Sequence, residues 1–216
     1  MAMAIDYSLY LVADAGYAAG RDLAGLVEAA VDGGVTIVQL RAKRLGGAAF
    51  AALASDVAAR LDRRGVPLLI NDRVDIALAC GAAGVHLGQD DLPVAAARRL
   101  LGPRGIIGVS VNTAEEARRA ERDGADYVGA GPAFATSTKQ TELAVLGPAG
   151  IGRIKAAVRL PVVAIGGIGA AGAAEMAAAG ADGVAVVSAI LGAPDARRAA
   201  EELKRTFEIL PKRRER

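Results

Sequence analysis

This chain has a single cysteine, a single histidine, no tryptophan and no marked excess of either charge. The lone Cys80 has no partner within the chain, which excludes a disulfide-stapled scaffold and leads us to expect a reducing, cytoplasmic setting. It lies in an alanine-rich helical pattern, where a buried structural thiol is expected. Lysine and arginine number 26 against 24 acidic residues, so no overall field marks the chain for nucleic acid or an anionic membrane. Any basic site must therefore be local. Much of the small excess sits beyond Pro211 in Lys212-Arg213-Arg214-Glu215-Arg216, and residues 211–216 are expected to form a disordered, solvated tail. The N-terminal segment lacks the basic and apolar stretches of a signal peptide. No long apolar run is present either: Leu160 to Ala174 is interrupted by Pro161 and four glycines, short of the ~20 apolar residues of a membrane span. A soluble protein acting on small molecules is expected, with a homo-oligomer left open.

What the chain does have is a rhythm. Short apolar, often β-branched runs recur at Leu9–Val12, Thr36–Leu40, Leu68–Ile70, Gly84–Leu87, Ile106–Val109, Tyr127–Gly129, Val162–Ile165 and Val184–Val187, which read as eight strands. Between them, stretches such as Asp22–Asp32, Gly46–Arg64 and Ala114–Asp123 place apolar residues at helical spacing with charge on the other face. A glycine recurs where helix gives way to strand, at Asp32-Gly33-Gly34, Cys80-Gly81, Asp123-Gly124 and Ala179-Gly180. It suits the left-handed turn that ends a helix. Near-continuous apolar strands are buried on both faces, as in a parallel sheet covered by helices. The rival to a barrel, a doubly wound sheet, would carry a Gly-x-Gly-x-x-Gly turn after the first strand, where this chain reads Ala13-Asp14-Ala15-Gly16-Tyr17. A single-domain α/β fold, a (β/α)8 TIM barrel over residues 1–210, is the expectation, with its chemistry at the C-terminal ends of the strands.

Those ends are rich in groups that handle anions. Gln39, Arg41 and Lys43 alternate along an extended segment and should point together into the mouth. A guanidinium fork beside an ammonium suits a polyphosphate. Asp72 and Asp91 end successive strands roughly 4.8 Å apart, close enough to share an ion, and magnesium takes one or two carboxylates together with phosphate oxygens. A magnesium-bound diphosphate is implied. Ser110 ends the fifth strand, and His86, inside the fourth, reads as a satisfied core or supporting residue rather than a general base. After the sixth strand comes Gly129-Ala130-Gly131-Pro132-Ala133-Phe134-Ala135-Thr136-Ser137-Thr138-Lys139, whose glycines, hydroxyls and ammonium suit an anion. The Ile165-Gly166-Gly167-Ile168 and Val187-Ser188 turns after strands seven and eight suggest a second phosphate site made of backbone amides.

Taken in order, Gln39-Leu40-Arg41-x-Lys43, Asn71-Asp72-Arg73, Gly84 to Asp91, Gly108-Val109-Ser110, the Gly129 to Lys139 loop, Ile165 to Ile168 and Asp182 to Ile190 resemble the thiamine-phosphate synthase (thiamine-phosphate pyrophosphorylase) family from about Tyr10 to Ile190. The resemblance implies a magnesium-dependent transferase of thiamine biosynthesis. It would join 4-amino-5-hydroxymethyl-2-methylpyrimidine diphosphate to hydroxyethylthiazole phosphate, or its carboxylated form, with release of pyrophosphate. It further implies that Gln39, Arg41, Lys43, Asn71, Ser110 and Lys139 hold the pyrimidine diphosphate, with Arg41, Lys43, Lys139 and Ser110 serving catalysis. Asp72 and Asp91 would bind magnesium. Thr136, Ser137, Thr138, Gly167, Val187 and Ser188 would hold the thiazole phosphate. Two departures stand out: Ala42 replaces the usual Glu and should point away from the mouth, and Ala135 replaces a usual Pro. A related thiazole tautomerase would need one phosphate site and a proton-transfer residue. A non-catalytic binder of thiamine phosphates would release no pyrophosphate, and an isomerase would place a Glu or His base at a strand end.

Overall fold

A computed structural model describes residues 5–18, 20–136 and 143–209. Eight parallel strands alternate with helices and close in strict chain order: β1 Leu9–Asp14, β2 Ile37–Arg41, β3 Leu68–Asn71, β4 Gly84–Leu87, β5 Ile106–Val111, β6 Tyr127–Ala130, β7 Val162–Ile165 and β8 Gly183–Val186, with β8 returning to pair with β1. The helices are α1 Leu23–Asp32, α2 Gly47–Asp62, α3 Val74–Cys80, α4 Val94–Leu101, α5 Ala114–Arg122, α6 Gly147–Ala157, α7 Ala170–Ala178, the short α8 Ser188–Leu191 and α9 Ala196–Glu208. This is the expected (β/α)8 barrel. β5 runs one residue beyond Ser110, and Ser188 opens α8 instead of extending β8. The described residues contain no helix long and apolar enough to cross a membrane.

Strand periodicity sorts the side chains into two layers. Val38, Leu40, Ala42, Ile70, Val85, Val128 and Val184 face outward and pack against the helices. Tyr10, Val12, Ile37, Leu69, Ile106, Tyr127, Val163 and Ala185 fill the barrel interior. Ala42 thus belongs to the outer layer, while Arg41 beside it on the chain lines the mouth. Helix ends follow the sequence signals. Gly34, Gly81, Gly124 and Gly180 all take positive φ, and α5 opens with a capping box in which Thr113 and Glu116 satisfy each other's backbone amides. Cys80 is half-buried rather than buried, and burial raises its thiol pKa, consistent with an inert thiol.

Candidate active site

The C-terminal ends of the strands enclose two adjoining cavities. The inner one, about 110 Å³, lies among Asp14, Gln39, Arg41, Asn71, His86, Ser110 and Tyr127. The outer one, about 370 Å³, spreads over β5 to β8 and is bordered by Ser110, Asn112, Thr136, Gly166, Gly167, Val187 and Ser188. Ser110, Gly129, Ile165, Ala185 and Val187 border both. Two small molecules seated in the two cavities would therefore meet over these five residues, of which Ser110 alone carries a polar side chain.

Arg41 lines the inner cavity, Lys43 borders neither cavity, and both are paired. Arg41 forms an ion pair with Asp14, whose Oδ1 accepts hydrogen bonds from the Gly16 and Tyr17 amides at 2.8 and 3.0 Å. Lys43 pairs with Asp72. Asp72 is the only non-glycine among the described residues with positive φ, 62°, and its N–H donates to the His86 carbonyl at 2.9 Å. A non-glycine residue in this region carries strain that surrounding structure must hold, and such residues cluster at functional sites. Asp91 is fixed by the Gly88 amide, which donates to its Oδ2 at 2.7 Å. Burial, then a hydrogen bond with the adjacent Asp72 carboxyl, raises the Asp91 pKa. Two acidic groups held in contact form a natural seat for a divalent cation, which would relieve their repulsion. No cluster of three or more Asp, Glu, His or Cys suited to a metal occurs among the described residues. A pair is nevertheless what magnesium needs when phosphate and water complete its shell.

The outer cavity is shaped by backbone. Gly166 and Gly167 have φ of 102° and 65°, and a Cβ on Gly167 would lie 2.4 Å from the Ala135 carbonyl oxygen. Only glycine lets the β7 turn pass so close beneath the β6 loop. That loop is tied down on both sides. The Ala133 and Phe134 amides donate to the Ile165 and Gly166 carbonyls at 2.8 and 2.9 Å, and on the returning side Leu146 and Gly147 donate to the Pro132 and Ala133 carbonyls at 2.9 and 3.0 Å.

Comparison with known proteins falls on the same span. The sequence model of a family described as thiamine monophosphate synthase matches residues 9–190. The chain belongs to the thiamine monophosphate synthase family. A thiamine-phosphate synthase from Chloroflexus aurantiacus is 48% identical over 200 residues, covering 93% of this chain and 92% of its own. One from Syntrophomonas wolfei is 48% identical over 203 residues, covering 94% and 97%. A solved thiamine phosphate pyrophosphorylase from Pyrococcus furiosus superposes with a TM-score of 0.87 at 37% identity, covering 94% of this chain and 96% of that one.

Within this synthase-family barrel, Gln39, Arg41, Asn71 and Ser110 gather round the inner cavity. Ser110, Thr136, Gly167, Val187 and Ser188 line the outer cavity, and Lys43 forms its ion pair with Asp72 beside Asp91. Ser137, Thr138 and Lys139 lie outside the described residues, as do 210–216 with the basic tail. Sequence reasoning missed Asp14 and Asn112. Asn112 Nδ2 donates to the Gly131 and Ala144 carbonyls at 2.9 and 3.1 Å, drawing the two ends of the β6 loop together. The available signal was positional: Asp14 ends β1 and Asn112 directly follows β5.

Proposed function

We propose that this chain makes thiamine monophosphate by joining a pyrimidine methyl diphosphate to hydroxyethylthiazole phosphate, or its carboxylated form, releasing pyrophosphate. The observation that carries this reading is the pair of adjoining cavities that share Ser110, with the Arg41–Asp14 pair lining one and a glycine-shaped loop bordering the other. In this reading Gln39, Asn71 and Ser110 orient the pyrimidine part in the inner cavity, and Arg41, Lys43 and Lys139 receive the diphosphate. The thiazole phosphate is held by Thr136, Ser137, Thr138 and the Gly167, Val187 and Ser188 backbone in the outer cavity.

The C–O bond between the pyrimidine methylene and the diphosphate breaks first, leaving a cation that the aminopyrimidine ring delocalises. Negative charge gathers on the departing oxygens, where Arg41 and Lys43 are already oriented by Asp14 and Asp72. The thiazole nitrogen, fixed by its own phosphate, then attacks the methylene carbon and forms the C–N bond. No general base is needed for bond formation. Asp72 and Asp91 would hold magnesium, whose contribution when bound is neutralisation of the diphosphate charge. A cytoplasmic setting is supported by the free thiol of Cys80.

Purified protein given both substrates is expected to release pyrophosphate in a magnesium-dependent manner and form thiamine phosphate. Asp72→Ala is expected to lower turnover by roughly 10²-fold or more, the range seen when a preorganised charge stabiliser is removed. Lys139→Ala should do the same. Binding without pyrophosphate release, or isomerisation of the thiazole phosphate alone, would overturn the reading.

A further inference from the structure

Beneath the mouth, five polar side chains from five strands are joined end to end across the barrel interior. The Gln39 amide nitrogen donates to Tyr10 Oη at 2.8 Å. The Tyr10 and Tyr127 hydroxyl oxygens are 2.8 Å apart. Tyr127 Oη lies 2.8 Å from His86 Nδ1, and His86 Nε2 lies 2.9 Å from Ser110 Oγ. Two glycines leave space for the rings. A Cβ on Gly108 would fall 2.1 Å from Tyr127 Cζ, and one on Gly129 would fall 2.9 Å from His86 Cε1. Nothing in the bond-forming chemistry uses these rings, yet the interior is built around them.

Counting hydrogens fixes the direction of the chain. The Tyr10 hydroxyl accepts from Gln39, so its own hydrogen goes to Tyr127. The Tyr127 hydrogen then goes to His86 Nδ1, which must be bare. Both phenols are fully buried, and burial raises the pKa of each, so both keep their hydrogens. A neutral imidazole with a bare Nδ1 carries its hydrogen on Nε2 and donates it to Ser110 Oγ. The Ser110 hydrogen is then not engaged by His86, and Ser110 borders both cavities. With the Gln39 amide nitrogen facing Tyr10, the opposite order would give the Tyr10 hydroxyl two hydrogens and leave its own buried without an acceptor, a costly arrangement.

We infer that the Gln39–Tyr10–Tyr127–His86 chain sets the direction of the Ser110 hydroxyl, with His86 as the neutral Nε2–H tautomer and Ser110 presented to the mouth as a hydrogen-bond donor. Tyr10, Tyr127 and His86 are positioning residues that act through Ser110. The ligand partner is an acceptor atom of the pyrimidine diphosphate, and this part of the inference rests on the function proposed above.

His86 is the sole histidine of the sequence, so untagged protein labelled with ¹⁵N only in its histidine ring gives the nitrogen signals of one imidazole. At neutral pH we expect one protonated nitrogen assigned to Nε2 and one unprotonated nitrogen assigned to Nδ1. An Nδ1–H tautomer or an imidazolium would overturn the inference, and this measurement needs no catalytic activity. In the coupling assay, Tyr127→Phe is expected to lower kcat/KM for the pyrimidine diphosphate roughly tenfold, the scale of one lost hydrogen bond. The same change in a Ser110→Ala background should add little, since both remove one function. Multiplied losses in the double variant would make Tyr127 merely structural and overturn the inference. Should Tyr127→Phe fail to fold, the tautomer of the unaltered protein decides. Absence of coupling by the unaltered protein refutes the proposed function and leaves the tautomer test standing.

Discussion

Arg41 reaches the mouth already paired, and its partner Asp14 is anchored by two backbone amides. A guanidinium fixed in this way needs little reorganisation when a diphosphate arrives. Asp14→Asn keeps the Oδ1 acceptor but removes the charge. Because the pair is partly exposed on the arginine side, the stability loss should be about 1–2 kcal/mol, below that of a fully buried pair. Urea unfolding would measure it, and kcat/KM for the diphosphate should fall several-fold. Arg41 was legible in the sequence because a cation two residues from Lys43 on a strand end is unusual, whereas Asp14 was not. Its role depends on the β1–β2 register that sets Asp14 opposite Arg41, and neither local composition nor periodicity specifies that pairing. The buried phenols escaped for the same reason, since a tyrosine in a strand reads as packing until its hydroxyl partners on other strands are known.

Among the elements, the turns after strands do more of the shaping than the strands themselves. The β7 turn depends on Gly167, where φ is 65° and a side chain would strike the Ala135 carbonyl. Gly167→Ala should cost roughly 1–2 kcal/mol from the left-handed conformation alone. By displacing the β6 loop it should also raise the KM for the thiazole phosphate about tenfold, measured by steady-state kinetics with the pyrimidine partner saturating. Strand positions were legible to within a residue or two, because all eight are short apolar runs punctuated by glycine. The ends were less so: the continuation of β5 through Val111 and the start of α8 at Ser188 are set by pairing with β6 and by the turn at Val187, not by residue preference.

At the scale of the molecule, the barrel is sealed where β8 meets β1, and α9 is the element laid over that seam. It packs against α1 and α7, and its Ala196, Ala200, Leu203 and Phe207 are buried in the core. Phe207→Ala should therefore destabilise the whole fold by roughly 3–5 kcal/mol, read as a lower urea midpoint with the slope unchanged. Closed architecture was legible from the count of repeating units, but the clasp was not. Lys204 of α9 donates to Ser8 Oγ at 2.5 Å and pairs with Asp6 at 3.3 Å and Glu208 at 3.1 Å. Every strand has its chain neighbours on either side, and the single covalent gap between β8 and β1 is spanned by backbone ladder and by this ammonium. The band thus has no privileged origin: a break moved to another βα connection, with a linker joining Asp6 to Glu208, which both meet Lys204, would leave each strand the same two companions.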